Sequence, residues 1–298
     1  FVFSGIAIGL ATASKFSALP LFLPLAIAAL HRYVVERRFV SVAGRLLMGV
    51  VAAAAAFALA QPYAILDFSA FIHDIFEQSS MVRNAGLFPY TVQYMGTVKY
   101  WYDIEQLVLW GMAPALGLVA VWASVTRVGV AWRTRRAEEW ILLSWVVPFF
   151  LITGWFEVKF PRYLLPIYPI MILWASESLV RWYRSGRLLG RLAAPVVVAG
   201  TLAASFAFMS TYTRPHTVVT ASEWTYRHVP AGSKILSQHW DEGFPFSLPS
   251  HSASAYKITE FGYYEPDNPA KIQKLAQELA QSDYIALQTK RLYGAVTR

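Results

Sequence analysis

Seven apolar stretches, at roughly residues 1–14, 16–30, 42–60, 107–125, 140–156, 163–180 and 192–210, decide what this chain can fold into. A helix that crosses a bilayer needs about 20 predominantly apolar residues. The last five stretches approach that length, while the first two are shorter and are separated by Lys15. Only 15% of the 298 residues are charged, against about 25% in soluble domains. Mean hydropathy is +0.40. The 11 Trp and 16 Tyr supply side chains that suit the membrane–water interface. The expected fold class is a polytopic α-helical membrane protein. About six to seven spans occupy residues 1–212, and a small soluble α/β domain occupies 213–298.

Charge sets the expected orientation. The formal net charge is +8, which could suggest a nucleic-acid partner. Its distribution argues otherwise, with 17 basic against 10 acidic side chains before residue 213 and 9 against 8 from there on. The excess sits in short loops between apolar stretches. Arg32, Arg37, Arg38 and Arg45 fall in 31–45, Arg127, Arg133, Arg135 and Arg136 in 126–139, and Arg181, Arg184, Arg187 and Arg191 in 181–191. The alternate loop 61–106 holds Asp67, Asp74, Glu77, Asp103 and Glu105 against Arg83 and Lys99. The positive-inside rule places the Arg loops in the cytoplasm and 61–106, 157–162 and 211–298 outside. The loop 61–106 reads as an interfacial helix over about 68–82 followed by an aromatic stretch along the outer surface. With no Cys, disulfides, thiolate metal sites and a Cys nucleophile are excluded. The first residues read as the interior of a helix, so native sequence is expected before Phe1.

The C-terminal part alternates helix and strand. A helix is expected over 217–228, strands over 234–237, 255–259 and 283–287, and a helix over 269–281 with Ile272, Leu275 and Leu279 on one face. That alternation predicts a parallel sheet. His239, Asp241 and Glu242 match no standard zinc spacing and read as a turn after a strand. No Walker loop or Gly-x-Gly-x-x-Gly segment is present, so no nucleotide site is legible.

The most informative segment for chemistry is Glu157-Val-Lys159-Phe-Pro161-Arg162-Tyr163-Leu-Leu-Pro166. It lies in a short outer loop and opens a span, with Pro161 suited to the first helical turn. Lys159 and Arg162 place two positive charges beside that helix N-terminus, and Tyr163 can donate a hydrogen bond. Together they suggest an anion site at headgroup depth, for which a lipid phosphate is the natural ligand. The competing reading makes both cations interfacial anchors. Lys15, breaking an apolar run near the same side, is a further candidate. Gln61, Tyr63, Asp67, Tyr90, Gln93 and Tyr94 are candidate substrate-lining residues in the long outer loop. No metal site is expected.

Gly5-Ile-Ala-Ile-Gly9-Leu-Ala-Thr-Ala-Ser-Lys15 resembles the Gly-x3-Gly-Leu-Ala-x3-Lys segment of bacterial lipid-carrier-dependent glycosyltransferases, relatives of protein O-mannosyltransferases and of the aminoarabinose transferase that modifies lipid A. Lys159-Phe-Pro-Arg-Tyr-Leu-Leu-Pro166 resembles their Lys-x-x-Arg-Tyr-x-x-Pro segment. Pro89-Tyr-Thr-Val-Gln93-Tyr-x-Gly96-Thr, Gln106-Leu-Val-Leu-Trp-Gly111 and Arg291-Leu-Tyr-Gly294 resemble bacterial members with a similar outer domain. The resemblance implies the C-type glycosyltransferase fold and a cell (plasma or inner) membrane location with the C-terminal domain extracytoplasmic. It implies inverting transfer of a sugar from a polyprenyl phosphate to an acceptor hydroxyl on a lipid, glycan or protein. Lys15, Lys159, Arg162 and Tyr163 are implied as the phosphate-side residues, with the acidic general base in a loop before residue 1. No cofactor is indicated beyond the polyprenyl-phosphate sugar donor, and metal dependence is left open. The alternatives are a transporter or flippase, which calls for charges well inside spans and paired broken helices, and a non-catalytic membrane anchoring subunit.

Overall fold

The computed structural model describes residues 1–298 except 240–242, 264, 266 and 289–298. Asp241, Glu242 and the Arg291-Leu-Tyr-Gly294 segment lie outside the described residues. The chain divides into two compact units: Phe1–Asn84 with Gly96–Ser205, and Ala85–Met95 with the residues from Phe206 onward. The sequence places the boundary near 212; the structure also assigns the 85–95 stretch of the long loop to the second unit.

The first unit is a helical membrane bundle. Helix α1 covers Val2–Ser14, and a 3₁₀ turn, Phe16–Leu21, leads into α2, Phe22–Glu36. Helix α3 covers Phe39–Ala60, followed by the short α4, Tyr63–Leu66, and by α5, Phe68–Arg83, close to the expected interfacial helix. Helix α6, Trp101–Gln106, passes into a π turn, Leu107–Gly111. Helices α7, Pro114–Thr134, and α8, Ala137–Trp155, come next. A 3₁₀ segment, Pro161–Ile167, then leads into α9, Tyr168–Arg184, and α10 covers Leu188–Met209. Six helical segments are long and apolar enough to cross a membrane, and α1 is a shorter apolar helix beside them. The fourth apolar stretch crosses later than expected, from Pro114 rather than 107, because Ala113 and Pro114 restart the helix after the π turn. The Arg-rich connection at 126–139 shrinks to Arg135 and Arg136, its other charges lying on the ends of α7 and α8.

Packing follows small residues. Gly5 and Gly9, one turn apart on α1, lie against Gly49 and Ala53 of α3. A Cβ on Gly5 would collide with the Gly49 carbonyl, and one on Gly9 with the Ala53 carbonyl and the Ala56 methyl. Such small-residue faces let membrane helices approach backbone to backbone. The larger core lies among α7, α8 and α9, where Ala120, Phe149, Trp174 and Ala175 are buried. Near one end of these helices Arg127 of α7 donates to both carboxylate oxygens of Glu139 on α8, through Nε and, at 2.6 Å, Nη2. Nη2 also reaches Glu177 of α9, which Arg181 bonds in turn.

The second unit has a three-stranded parallel sheet, β1 Lys234–Gln238, β2 Lys257–Phe261 and β3 Tyr284–Ala286, in the order β2-β1-β3. Helix α11, Thr217–His228, precedes β1, and α12, Pro269–Gln281, connects β2 to β3. The expected helix–strand order and parallel pairing are present, with β2 two residues later than expected.

Candidate functional site

The junction of α1 with the following 3₁₀ turn brings Lys15 to the segment that opens α9. The Lys15 Nζ sits 5.1 Å from the centre of the Tyr163 ring, and the Arg162 guanidinium lies 4.5 Å from the centre of the Phe160 ring. Phe160 and Phe156 present their rings edge-to-face to Tyr163, at 5.5 and 6.4 Å. Aromatic faces thus hold two cations from sequence-distant elements at one place. Both are exposed, and among the described residues neither forms an ion pair. The Lys15 pKa is lowered, first by partial burial of its ammonium and then by the neighbouring Arg162 charge. Two like charges without an acidic partner form a locus that an anion would stabilise.

Lys159 is placed differently from the surface grip expected of it. It is only 3% exposed, and its Nζ donates to the carbonyls of Phe156 at 2.7 Å and Glu157 at 3.4 Å. The bend from α8 into the 161–167 segment folds it inward. The helix start also differs from expectation: Pro161–Ile167 winds as 3₁₀, and α9 proper begins at Tyr168. Pro161, Pro166 and Pro169 lack the N–H groups that regular α hydrogen bonding needs.

The charge of Lys159 acts on a residue the sequence reading did not select. Asp103 on α6 is 6% exposed, and its Oδ2 has no hydrogen-bond partner. Burial pushes its pKa up to about 6, opposed by the Lys159 charge and by its own backbone N–H. The Lys159 pKa is lowered by burial and by Lys99, against the attraction of Asp103 and Glu157. Tyr102 and Tyr168 lie within the electrostatic reach of Asp103. Leaving a buried acceptor unpaired costs about 1–3 kcal/mol.

The backbone around Asp103 is strained on both sides. Tyr100 adopts φ 63°, ψ −42° and Ala113 φ 61°, ψ 148°, with the π turn between them. Such conformations in non-glycine residues cost about 1–3 kcal/mol each and gather at functional sites. The Tyr100 ring occupies the space beside Gly154 that any Cβ would need. Its hydroxyl donates to the Leu151 carbonyl at 3.3 Å.

Of the remaining candidates, Gln61, Tyr63 and Asp67 belong to the first unit. Gln61 closes α3, with its N–H on the Phe57 carbonyl, and Tyr63 is exposed at the start of α4. Asp67 caps α5, its Oδ1 accepting the Ala70 N–H at 3.2 Å. Tyr90, Gln93 and Tyr94 belong to the second unit. There Tyr90 stacks with Phe88 at 5.6 Å, the Gln93 amide donates to the Tyr90 carbonyl at 2.9 Å, and Tyr94 is buried. His239 bonds Glu260 at 2.9 Å. Among the described residues no group of three His, Cys, Asp or Glu side chains could hold a metal ion. A slot of ≈ 290 Å³ beside α11 in the second unit, lined by Trp224, Val229, Ile235, Phe244, Tyr284 and Ile285, is apolar in character. No family model, curated protein or solved structure matches this chain.

Proposed function

We propose that this membrane protein is a glycosyltransferase that takes a sugar from a polyprenyl-phosphate carrier and passes it, with inversion, to an acceptor hydroxyl outside the membrane. The observation that carries the reading is the meeting of Lys15 and Arg162 around Tyr163, two cations without an acidic partner among the described residues. A phosphate that gains charge as it leaves the sugar is stabilised by fixed positive groups already aimed at it. Arg162 offers a bidentate grip and Lys15 a point charge. Lys159, bonded to backbone behind them, adds field from a buried position and supports the turn that presents Arg162. The charges near the span ends favour this reading over a transport path: Arg127 pairs directly with Glu139 and Glu177, which leaves a closed ionic clamp rather than a polar route.

The test is release of polyprenyl phosphate from a panel of polyprenyl-phosphate sugars by the native protein in liposomes. With the right donor, Arg162→Ala should lower release at least about a hundredfold, the loss expected for a transition-state charge contact, while membrane insertion is retained. Release at the wild-type rate in that variant would refute the phosphate role. The orientation has its own check. Tags at residue 135 and residue 250 should be labelled from opposite faces, the first cytoplasmic by the positive-inside rule. Labelling of both from one face would overturn the assignment.

A further inference from the structure

The charges of the first unit gather at the end of the bundle away from the Lys15–Tyr163 contact. Lys15, just before α2, meets the Tyr163 ring, and that ring meets Phe156, which closes α8. Helix α2 packs on α8 and so runs against it, with its last turn beside the start of α8. The bonds from Arg127 to Glu139 and Glu177 bring the later turns of α7 and α9 to the same end. Twelve arginines, four glutamates and no lysine lie there, at 31–45, 127–139 and 177–191. Elsewhere the first unit carries three lysines and two arginines against six acids. Orientation by the positive-inside rule would accept lysine as readily as arginine. A guanidinium adds a planar fork that matches two phosphate oxygens.

The four glutamates are already engaged. Glu36 bonds Arg32 and Arg45, Glu138 meets Arg136 at 3.5 Å, and Glu139 and Glu177 hold Arg127, with Arg181 also on Glu177. The other seven arginines are exposed and form no ion pair among the described residues. They sit in or beside links of two or three residues: Arg37-Arg38, Arg135-Arg136 and Ser185-Gly186-Arg187. Arg37 and Arg135 end their helices at φ 55° and 52°, where a Cβ is disfavoured and glycine is the usual residue. Arginine thus stands at two sites where backbone conformation alone would select against it. Exposed aromatic pairs mark the depth. Tyr33 meets Phe39 across one link at 5.9 Å and Trp132 meets Trp140 across another at 6.4 Å, as interfacial aromatics do at headgroup level. We propose that this end of the bundle binds anionic phospholipids, whose phosphodiester head groups supply the counter-charge that the chain does not. Clustered basic residues next to spans attract such head groups. The proposal is independent of sugar transfer, because the residues lie at the other end of the bundle.

The test titrates phosphatidylglycerol into the detergent-solubilised native protein and counts bound lipid by native mass spectrometry, with zwitterionic phosphatidylcholine as the reference. The variant combines Arg184→Gln, Arg187→Gln and Arg191→Gln, leaving the arginines of the other two links to hold the orientation. The native protein should bind phosphatidylglycerol at least about tenfold tighter than phosphatidylcholine. The variant should lose most of that preference, since each basic residue near a charged surface contributes about fivefold. Salt at about 1 M should erase it in the native protein. Arg83→Gln, at an exposed arginine elsewhere in the unit, should leave it unchanged. Equal phosphatidylcholine binding by all the proteins reports that the variants are folded. Should the triple variant not fold, Arg187→Gln alone carries the test, with a loss of about fivefold. An undiminished preference in the arginine-link variant would overturn the proposal, as would an equal loss in Arg83→Gln. Displacement of phosphatidylglycerol by millimolar inorganic phosphate would overturn it in favour of a soluble phosphate ligand.

Discussion

Glu139→Ala should destabilise the folded protein by about 3–5 kcal/mol. Arg127 and Glu139 are 6% and 5% exposed, and the guanidinium makes two parallel bonds to that carboxylate. An arginine cannot escape by losing its proton, so truncating Glu139 strands a buried charge. Breaking such a pair costs about 3–5 kcal/mol, a large share of the 5–15 kcal/mol that typically separates folded from unfolded. Glu177 touches the same guanidinium but is 45% exposed and already shared with Arg181. Its truncation should cost about 1 kcal/mol or less. Replacing both partners, Arg127→Met with Glu139→Leu, should recover most of the loss, because a well-packed apolar pair often equals a buried ion pair. Denaturant unfolding of the four proteins in mixed micelles measures the series. Wild-type stability in Glu139→Ala would mean that Arg127 finds water or another acid, and the clamp would be decorative.

Gly5→Leu should have an effect of similar size from a different cause. The side chain would start inside the Gly49 carbonyl oxygen, a backbone atom that no rotamer change can move aside. Helices α1 and α3 must then separate, which forfeits the packing that Ile8, Leu25 and Ala53 make there. Overpacking of this kind costs about 1–3 kcal/mol, and more where backbone must shift. The same substitution at Gly44, on α3 with nothing within 4 Å of its missing Cβ, is the matched control and should stay within about ±0.5 kcal/mol. The chain has no Cys, so a pair introduced at Ile8 and Ala53 reports on the contact without background. Cross-linking should be efficient in the parent and in Gly44→Leu, and largely lost in Gly5→Leu. Undiminished cross-linking in Gly5→Leu would show that the helices do not need their close approach.

These two experiments also separate kinds of sequence information. Gly5 and Gly9 stood out in the sequence only as part of a motif; the structure sets Gly5 against Gly49 and Gly9 against Ala53 and Ala56. The Arg127 clamp was half legible. Its members are visible as charges near span ends, but Arg127 and Glu139 looked like ordinary loop charges until α7 and α8 extended far enough to bury them. At the candidate site, Lys15, Arg162 and Tyr163 were selected from the sequence by charge and position, and they meet. Lys159 was selected with them and turns inward instead. Asp103 was missed because Asp103 and Glu105 are two acids in one aromatic stretch, alike in type and setting. One is buried with its Oδ2 unpartnered, and the other is exposed.

The sequence by itself determined the apolar surroundings, the helical class and the parallel pairing of the C-terminal strands. Each of these follows from the period and length of apolar runs, which are local properties of the chain. Only the tertiary structure decided which charges are paired, which are held unpaired on aromatic faces, and which carboxylate is closed off from water. Those outcomes depend on neighbours brought together by the fold, from 12 residues away for Arg127 and Glu139 to about 150 for Lys15 and Arg162. Desolvation and Coulomb attraction act through space, and the sequence records neither distance nor burial.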